Sequence, residues 1–218
     1  MSYKAFISYS HAADNQLAPA IQSALQRFAK PFYRLRAMNV FRDKTSLHLT
    51  PQLWPLIQKS LKESEYFLLL ASPDSAHSEW VQAEIGEWLK LHDGSLEKFL
   101  IVLTGGEISW DRTRDDFDWN KTTALPISLQ GKFPDEPLFS DLRWASKATD
   151  LSLRHPQFLD DIGMIGATLH NKPKDVMIGQ DVRQHRVFKL VSGIAIVVLL
   201  ISLLATSVTA YYANERRK

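Results

Sequence analysis

The sequence predicts an α/β fold in which five parallel strands form one sheet with helices on both faces, followed by one transmembrane helix. Segments rich in β-forming residues alternate five times with segments of helical periodicity, an order typical of a doubly wound sheet. The run Phe99–Leu103 is hydrophobic at every position, as in parallel strands covered on both sides. The apolar segment from Leu190 to Ala210 carries no charge over 21 residues, enough to cross about 30 Å of hydrocarbon as a helix.

The first half of the chain is predicted to supply three strands and three helices. Alternating apolar residues predict the first strand, and apolar residues spaced by three and four predict the first helix, with Asp14 as its N-cap. The predicted strands span residues 4–9, 37–41 and 66–71, and the predicted helices span residues 14–29, 51–62 and 78–91. The second helix is expected to bury four residues, Leu53, Leu56, Ile57 and Leu61.

The second half is predicted to complete the sheet and then enter the membrane. Strands are expected at residues 99–103 and 149–153, and a last helix at 156–170. Residues 105–148 show little periodicity but many aromatic side chains, so this insert is expected to pack on the domain. The predicted divisions are a folded domain over residues 1–171, a charged connector over 172–189, the transmembrane helix over 190–212 and a short basic tail over 213–218.

Composition limits the classes of protein that fit. Of the 218 residues, 45% are hydrophobic and 23% are charged, which is typical of a globular chain, and the net charge of +2 gives no case for a nucleic-acid partner. The lack of cysteine excludes disulfides and thiolate metal sites and suits a reducing compartment. The N-terminus lacks signal-peptide features, so we expect a single-pass membrane protein with its folded domain in the cytoplasm. Basic residues flank the apolar segment on both sides, so the positive-inside rule leaves its orientation undecided.

Several motifs of known chemistry are missing from the sequence. No GxGxxG follows the first predicted strand and no GxxxxGK[ST] is present, so these glycine-rich phosphate-binding loops are excluded. There is no GxSxG for a serine hydrolase. The seven histidines do not occur at metal-ligand spacing, and no metal site is expected.

Polar loops follow the first three predicted strands, at residues 8–11, 41–46 and 72–80. Since the carboxyl ends of parallel strands meet at one edge of a sheet, these loops are expected to converge. Considered singly, each is better explained as a solvated connector. Together with the helix that follows, they supply rings, hydrogen-bonding groups, cations and one acid, which suits a ligand with flat rings, sugars and phosphates. The residues concerned are Tyr9, His11, Phe41, Arg42, Lys44, Trp80 and Glu84.

Glu84 lies four residues after Trp80 on a predicted helix, so the two side chains share one helix face. The core stripe of this helix consists of four apolar residues, Val81, Ile85, Trp88 and Leu89. Glu84 lies roughly 90° from the centre of that stripe. This position predicts a boundary residue facing a cleft beside the sheet edge. Position alone leaves open whether Glu84 is catalytic or only a surface residue.

Three segments resemble, in order and spacing, the motifs of a Toll/interleukin-1 receptor (TIR) domain over residues 3–91: FISYSH, VFRD, and LLLASPDSAHSEW followed by Glu84. The segment KPKDVMIGQDVRQHR, before the apolar run, is similar to bacterial TIR proteins that carry a membrane span. The resemblance implies a flavodoxin-like fold with five parallel strands. It also implies that other TIR domains are partners through self-association.

The resemblance implies an activity as well. Catalytic TIR domains cleave NAD+ at the nicotinamide–ribose bond, giving ADP-ribose or a cyclic ADP-ribose, and their active glutamate ends a W-x-x-x-E pattern. Trp80 and Glu84 match this pattern. Glu84 is therefore the implied catalytic residue, NAD+ is the implied substrate, and no separate cofactor is expected.

By the same resemblance, the loop after the first strand lines the NAD+ site, and the BB loop after the second strand supplies ring stacking and contacts between TIR domains. Some TIR domains that cleave NAD+ have a basic residue where Ser10 lies, and here His11 or Arg42 would make its phosphate contacts. The implied NAD+-binding residues are Tyr9, Ser10, His11, Phe41, Arg42, Asp43 and Trp80.

Two functions remain open at this point. In the first, the chain is a membrane-tethered NAD+ nucleosidase that is activated by clustering and acts in antiphage defence or signal transduction. In the second, it is a non-catalytic, membrane-tethered signalling scaffold that acts by TIR–TIR self-association, and Trp80 and Glu84 are packing and surface residues. A response-regulator receiver is excluded because no acidic cluster with a phosphorylatable aspartate ends the first and third predicted strands.

Overall fold

The computed structural model describes residues 2–28, 37–42 and 53–173, together with isolated positions between 193 and 206. Its strands are β1 (Tyr3–Ser8), β2 (Val40–Arg42), β3 (Ser64–Ala71), β4 (Phe99–Leu103), β5 (Trp110–Asp111), β6 (Asp116–Phe117) and β7 (Phe139–Asp141). Its α-helices are α1 (His11–Asp14), α2 (Leu17–Arg27), α3 (Leu53–Lys62), α4 (Pro73–His77), α5 (Glu79–Leu91) and α6 (Pro156–His170). Two short 3-10 helices span Ile127–Leu129 and Arg143–Lys147.

Five of the strands form one parallel sheet in the order β2-β1-β3-β4-β7, which confirms the predicted architecture. The chain passes from β1 outward to β2 and then returns to place β3 on the other side of β1. The strand order therefore reverses between β1 and β3. Open α/β sheets bind their ligands in the crevice outside such a reversal, at the carboxyl ends of the strands.

Each face of the sheet carries its own hydrophobic core. Side chains alternate along β1, so that Ala5 and Ile7 pack with residues of α2 and α6, whereas Phe6 packs with residues of α3 and α5. Both cores contain residues that are fully buried. The predicted arrangement of helices on both faces is confirmed. A loop residue at the carboxyl edge of the sheet can therefore pack with α2 and α6 on one face or with α3 and α5 on the other.

The helix predicted over residues 14–29 is shorter than expected. A short helix that was not predicted, α1, follows the loop of Tyr9 and Ser10 and ends at Asp14. The N-cap of α2 is Gln16, so the prediction of Asp14 as an N-cap is wrong. The first helix of full length is α2, which begins only at Leu17. A further helix, α4, was not predicted; it is stabilised by a capping box between Ser72 and Ser75. The expected burial of Leu56 is also wrong, since its side chain is 52% exposed.

The fifth strand lies inside the insert, at β7, and the predicted strand over residues 149–153 is wrong. β7 is a three-residue edge strand that pairs with β4 through Ile101 and Phe139. Its sequence is too short and too polar to form the apolar run by which strands are recognised. The insert packs on the domain as predicted, because Phe117 and Phe133 are buried and the Phe133 ring meets Phe99 of β4 edge-on.

The last helix of the folded domain agrees with the prediction. α6 spans Pro156–His170, as the periodicity indicated. Most of the predicted transmembrane segment, from Leu190 to Ala210, lies outside the described residues. In the part of the chain that the structure describes, no helix is both long enough and apolar enough to cross a membrane.

Candidate active site at the end of β1

Glu84 is held inside the domain by α5. This helix begins after Ser78, whose hydroxyl accepts a hydrogen bond from the Val81 amide. Val81 and Ile85 face the core, and Glu84 follows the same side of the helix with only 5% of its surface exposed. The prediction of a boundary residue at the edge of the sheet is therefore wrong, because Glu84 points to the end of β1, an inner strand.

Ser8, the last residue of β1, is a hydrogen-bond partner of Glu84. The Ser8 hydroxyl donates a hydrogen bond of 2.5 Å to Glu84 Oε2, and the Ser8 side chain is 1% exposed. Burying a carboxylate is costly unless hydrogen bonds replace its water, so this contact helps to keep the acid inside the protein. The result is a carboxylate fixed beside the point where the strand order reverses.

An aromatic pair lies on the same side of the sheet. Trp80, one helical turn before Glu84, is 52% exposed, and its ring centroid lies 6.1 Å from that of Trp54 on α3. Sequence reasoning identified Trp80 but missed Trp54, because the pairing depends on α3 and α5 packing side by side. The exposed ring of Trp80 provides flat apolar surface one turn from the carboxylate, which can stack on a planar ligand group.

Three further predicted site residues form a second group, which faces α2. Tyr9 is buried in the core beneath α2, and Arg42 Nη1 donates a hydrogen bond of 2.8 Å to its hydroxyl. Arg42 Nε donates to Gln22 Oε1 of α2 at 3.2 Å. The centroid of the His11 ring lies 4.6 Å from that of the Tyr9 ring, and the His11 side chain is exposed. Arg42 therefore ties the end of β2 to the end of β1 and to α2.

The family of the chain follows from comparison with known proteins. The model of the TIR domain family matches residues 5–130. The chain belongs to the TIR domain family. It is similar to "NAD(+) hydrolase ApTIR" of Actinoplanes sp., with 44% identity over 217 residues that cover 99% of this chain and 30% of that protein. The chain thus spans about 30% of the length of that relative.

One solved structure that the chain matches is that of the TIR domains of the activated Roq1 resistosome, which directly recognises the pathogen effector XopQ. The match covers 84% of this chain and 98% of that one, with 14% sequence identity and a TM-score of 0.39.

Within this TIR domain, the remaining predicted residues lie in different surroundings. Phe41 alternates with Arg42 along β2, and its ring stacks at 5.3 Å on Phe6, on the side of the sheet that carries α3 and α5. Ser10 is buried in the loop between β1 and α1. Asp43 lies outside the described residues. The structure thus brings Glu84 together with Ser8, and it gathers Tyr9, His11 and Arg42 separately.

A second acid of this TIR domain, Asp14, lies at the same edge of the sheet. It is 3% exposed and lines a cavity of about 520 Å³ together with Ser72, Asp74 and Thr104. Burial raises the pKa of Asp14 to about 6; a hydrogen bond with Thr104 opposes the rise, and the nearby charge of Asp74 adds to it. Asp14 Oδ2 has no hydrogen-bond partner among the described residues. Over those same residues, no group of three or more His, Cys, Asp or Glu is placed to hold a metal ion.

Proposed function

We propose that this TIR domain is an NAD+ nucleosidase that cleaves the nicotinamide–ribose bond with Glu84 as its catalytic carboxylate. The observation that carries the proposal is the burial of Glu84 at the end of β1, where its carboxylate accepts a hydrogen bond from Ser8. The position of the carboxylate at the reversal of strand order supports a ligand site there. The 44% identity to a protein named NAD(+) hydrolase supports the reaction class.

A single carboxylate is sufficient for this chemistry. The nicotinamide of NAD+ is a cationic pyridinium and leaves as a neutral molecule, so its departure needs no general acid. Positive charge then develops on the ribose, and a carboxylate fixed beside it stabilises that charge. Water adds to the anomeric carbon and releases a proton, which gives ADP-ribose. Ordinary glycosidases need two carboxylates because their leaving group has to be protonated.

The other parts of the proposed site bind the substrate. The exposed face of Trp80, backed by Trp54, is suited to stack on one of the flat rings of NAD+. Tyr9, Ser10, His11, Phe41, Arg42 and Asp43 stay as proposed binding residues. Arg42 already donates hydrogen bonds to Tyr9 and Gln22. To bind a phosphate of NAD+, its guanidinium would either make a further hydrogen bond or give up one of these two.

Activity is proposed to depend on clustering. We propose that the segment from Leu190 to Ala210 anchors the chain in a membrane with the TIR domain in the cytoplasm, and that TIR domains associate with one another there. Confinement to a surface raises the effective concentration of a weak self-interaction without new contacts. The proposed biological role is NAD+ depletion, or release of an ADP-ribose signal, in bacterial defence.

The test compares the full chain in lipid vesicles with the same chain dispersed in detergent. NAD+ loss and nicotinamide release are measured by chromatography for the wild type, Glu84→Gln, and Glu79→Gln as a matched control on an exposed position of the same helix. We expect turnover in vesicles by the wild type and Glu79→Gln and none by Glu84→Gln. Failure of the clustered wild type to consume NAD+ would contradict the enzyme proposal and favour the scaffold.

A further inference from the structure

The hydroxyl of Ser8 has a fixed location in the fold. Ser8 is paired through the backbone register with Leu69 of β3, and the preceding residue, Ile7, is paired with both Leu68 of β3 and Arg42 of β2. The end of β1 is therefore held from both sides. A serine side chain has a single rotatable bond before its oxygen, and this one is 1% exposed. The sheet itself thus determines where the hydroxyl lies.

The carboxylate of Glu84 does not have this rigidity on its own. Three rotatable bonds separate it from the backbone of α5. The first two each have several staggered positions, and the third lets the carboxylate turn over a broad range. The hydrogen bond from Ser8 to Oε2 joins the flexible side chain to the rigid strand, across 76 residues of sequence. Among the rotamers of Glu84, the bond favours those that place the carboxylate at the end of β1.

A buried serine in this sheet does not need such a partner. Ser64, at the start of β3, is 6% exposed and donates to the backbone carbonyl of Ser60 at 2.7 Å. Ser60 in turn donates to the carbonyl of Leu56. These two hydroxyls satisfy themselves on the local backbone, whereas the hydroxyl of Ser8 bonds to an acid on another element. Burial of a serine hydroxyl in this fold thus does not by itself require an acid as its partner, and the bond from Ser8 to Glu84 calls for another explanation.

We infer that Ser8 is a positioning residue for the reaction, which orients the Glu84 carboxylate before the ribose acquires positive charge. The inference rests on the proposed NAD+ cleavage and deepens it. A charged group that is already in place stabilises a transition state without reorganising, and a shift of about 1 Å in such a group can reduce the rate on the order of 100-fold. Ser8 makes no bond to the substrate in this role, so its effect falls on turnover and not on binding.

The experiment uses the full chain in vesicles, with initial rates of NAD+ cleavage over a range of substrate concentrations and pH values. Ser8→Ala removes the donor, Ser8→Cys keeps a similar volume with a weak donor, and Ser8→Thr keeps the hydroxyl. We expect Ser8→Ala and Ser8→Cys to lower kcat on the order of 10- to 100-fold, with KM changed less than about twofold. We expect Ser8→Thr to recover most of the lost kcat.

Two further measurements separate positioning from folding. A hydroxyl donor favours the ionised form of a carboxylate, so Ser8→Ala and Ser8→Cys should move the acidic limb of the pH–kcat profile to higher pH. The matched control is Ser64→Ala, which removes a buried hydroxyl at the opposite end of the sheet. It should lower the melting temperature without changing kcat or the pH profile. If Ser8→Ala does not fold, Ser8→Cys supplies the same comparison.

The outcomes distinguish the inference from the function on which it rests. Loss of activity in Glu84→Gln, together with wild-type kcat and pH profile in Ser8→Ala or Ser8→Cys, would overturn the inference alone. An equal loss of kcat in Ser64→Ala would overturn it too, because the effect would then follow stability. A clustered wild type without NAD+ turnover would overturn the proposed function and the inference with it.

Discussion

Ser8 and Tyr9 are neighbours in the chain, but their side chains serve opposite faces of the sheet. The Ser8 hydroxyl reaches Glu84 on α5, whereas Tyr9 is buried in the core beneath α2 and bonds to Arg42. This division follows from the two-residue period of a strand, carried one residue past the end of β1. The sequence predicted all of these residues as one site, and the structure divides them into two sets. One set is Glu84 with Ser8, and the other is Tyr9 with Arg42, which joins β1, β2 and α2.

Replacing Trp80 with alanine tests the proposed stacking surface. Because the ring is 52% exposed, its loss should change the melting temperature little. An aromatic contact contributes about 0.5–1.5 kcal/mol, so we expect the KM for NAD+ to rise about 2- to 12-fold. The KM of Trp80→Phe should lie between the values of the wild type and Trp80→Ala. The measurement is initial-rate kinetics in vesicles, with Leu91→Ala as the control at a partly exposed apolar residue of the same helix. An unchanged KM in Trp80→Ala would exclude stacking on this ring.

The bond between Arg42 and Tyr9 should contribute to stability as a coupled pair. Tyr9→Phe, Arg42→Ala and the double variant form a double-mutant cycle, read from urea unfolding of the full chain. A hydrogen bond from a charged donor stabilises a fold by about 1.5–3 kcal/mol. Because Arg42 is partly exposed to water, we expect a smaller coupling energy between Tyr9 and Arg42, of about 1 kcal/mol. Simple additivity of the two single losses would show that the contact does not stabilise the fold.

Asp14 should make the folded domain less stable as the pH rises. Its pKa is about 6 in the folded protein against 3.8 for the free side chain, so the folded state binds the proton more tightly. The contribution of this proton binding to the free energy of unfolding is full below about pH 4 and is lost as the pH rises through about 6. The difference of about two units between the folded and the free pKa corresponds to about 3 kcal/mol. We therefore expect Asp14→Asn to raise the free energy of unfolding at pH 7.5, with the gain fading toward pH 4.

Urea unfolding between pH 4 and pH 8 measures this difference. Other carboxylates give the opposite trend, since hydrogen bonds from Lys4 and Arg143 lower the pKa values of Glu65 and Asp141. The wild-type curve alone is therefore mixed, and the difference between wild type and Asp14→Asn isolates Asp14. A difference that stays constant with pH would contradict the assignment.

Gly106 should tolerate no side chain, because it lies where the insert meets α4. It has φ +71°, and a Cβ there would lie 2.7 Å from Thr123 Oγ1 and 2.9 Å from Pro73 Cγ. Gly94 is the matched control, with φ +80° and no described atom within 4 Å of a Cβ. We expect Gly94→Ala to lose about 1–2 kcal/mol for the left-handed backbone alone and Gly106→Ala about 1–3 kcal/mol more. Equal losses in urea unfolding would mean that the crowding is relieved.

The elements that the sequence predicted well are those with a strong local signal. β4 is hydrophobic throughout, and α6 has a regular helical period, and both begin and end where predicted. β7 was missed because it has one large apolar residue and gains its strand conformation by pairing with β4, 36 or more residues earlier in the chain. The short helix α1 was missed because its four residues, His11–Asp14, are too few to show a helical period.

By itself, the sequence determined four of the five strands of a parallel sheet, the helices that cover it and the placing of Trp80 and Glu84 on one helix face, because these follow from local periodicity. Only the tertiary structure decided that Glu84 is buried and meets Ser8, that Tyr9 and Arg42 belong to the other face, and that Trp54 joins Trp80. Each of these depends on which strand lies beside β1 and which helix covers it. Such contacts join residues far apart in the chain, and a periodic pattern specifies which side of an element is apolar but not what will cover it.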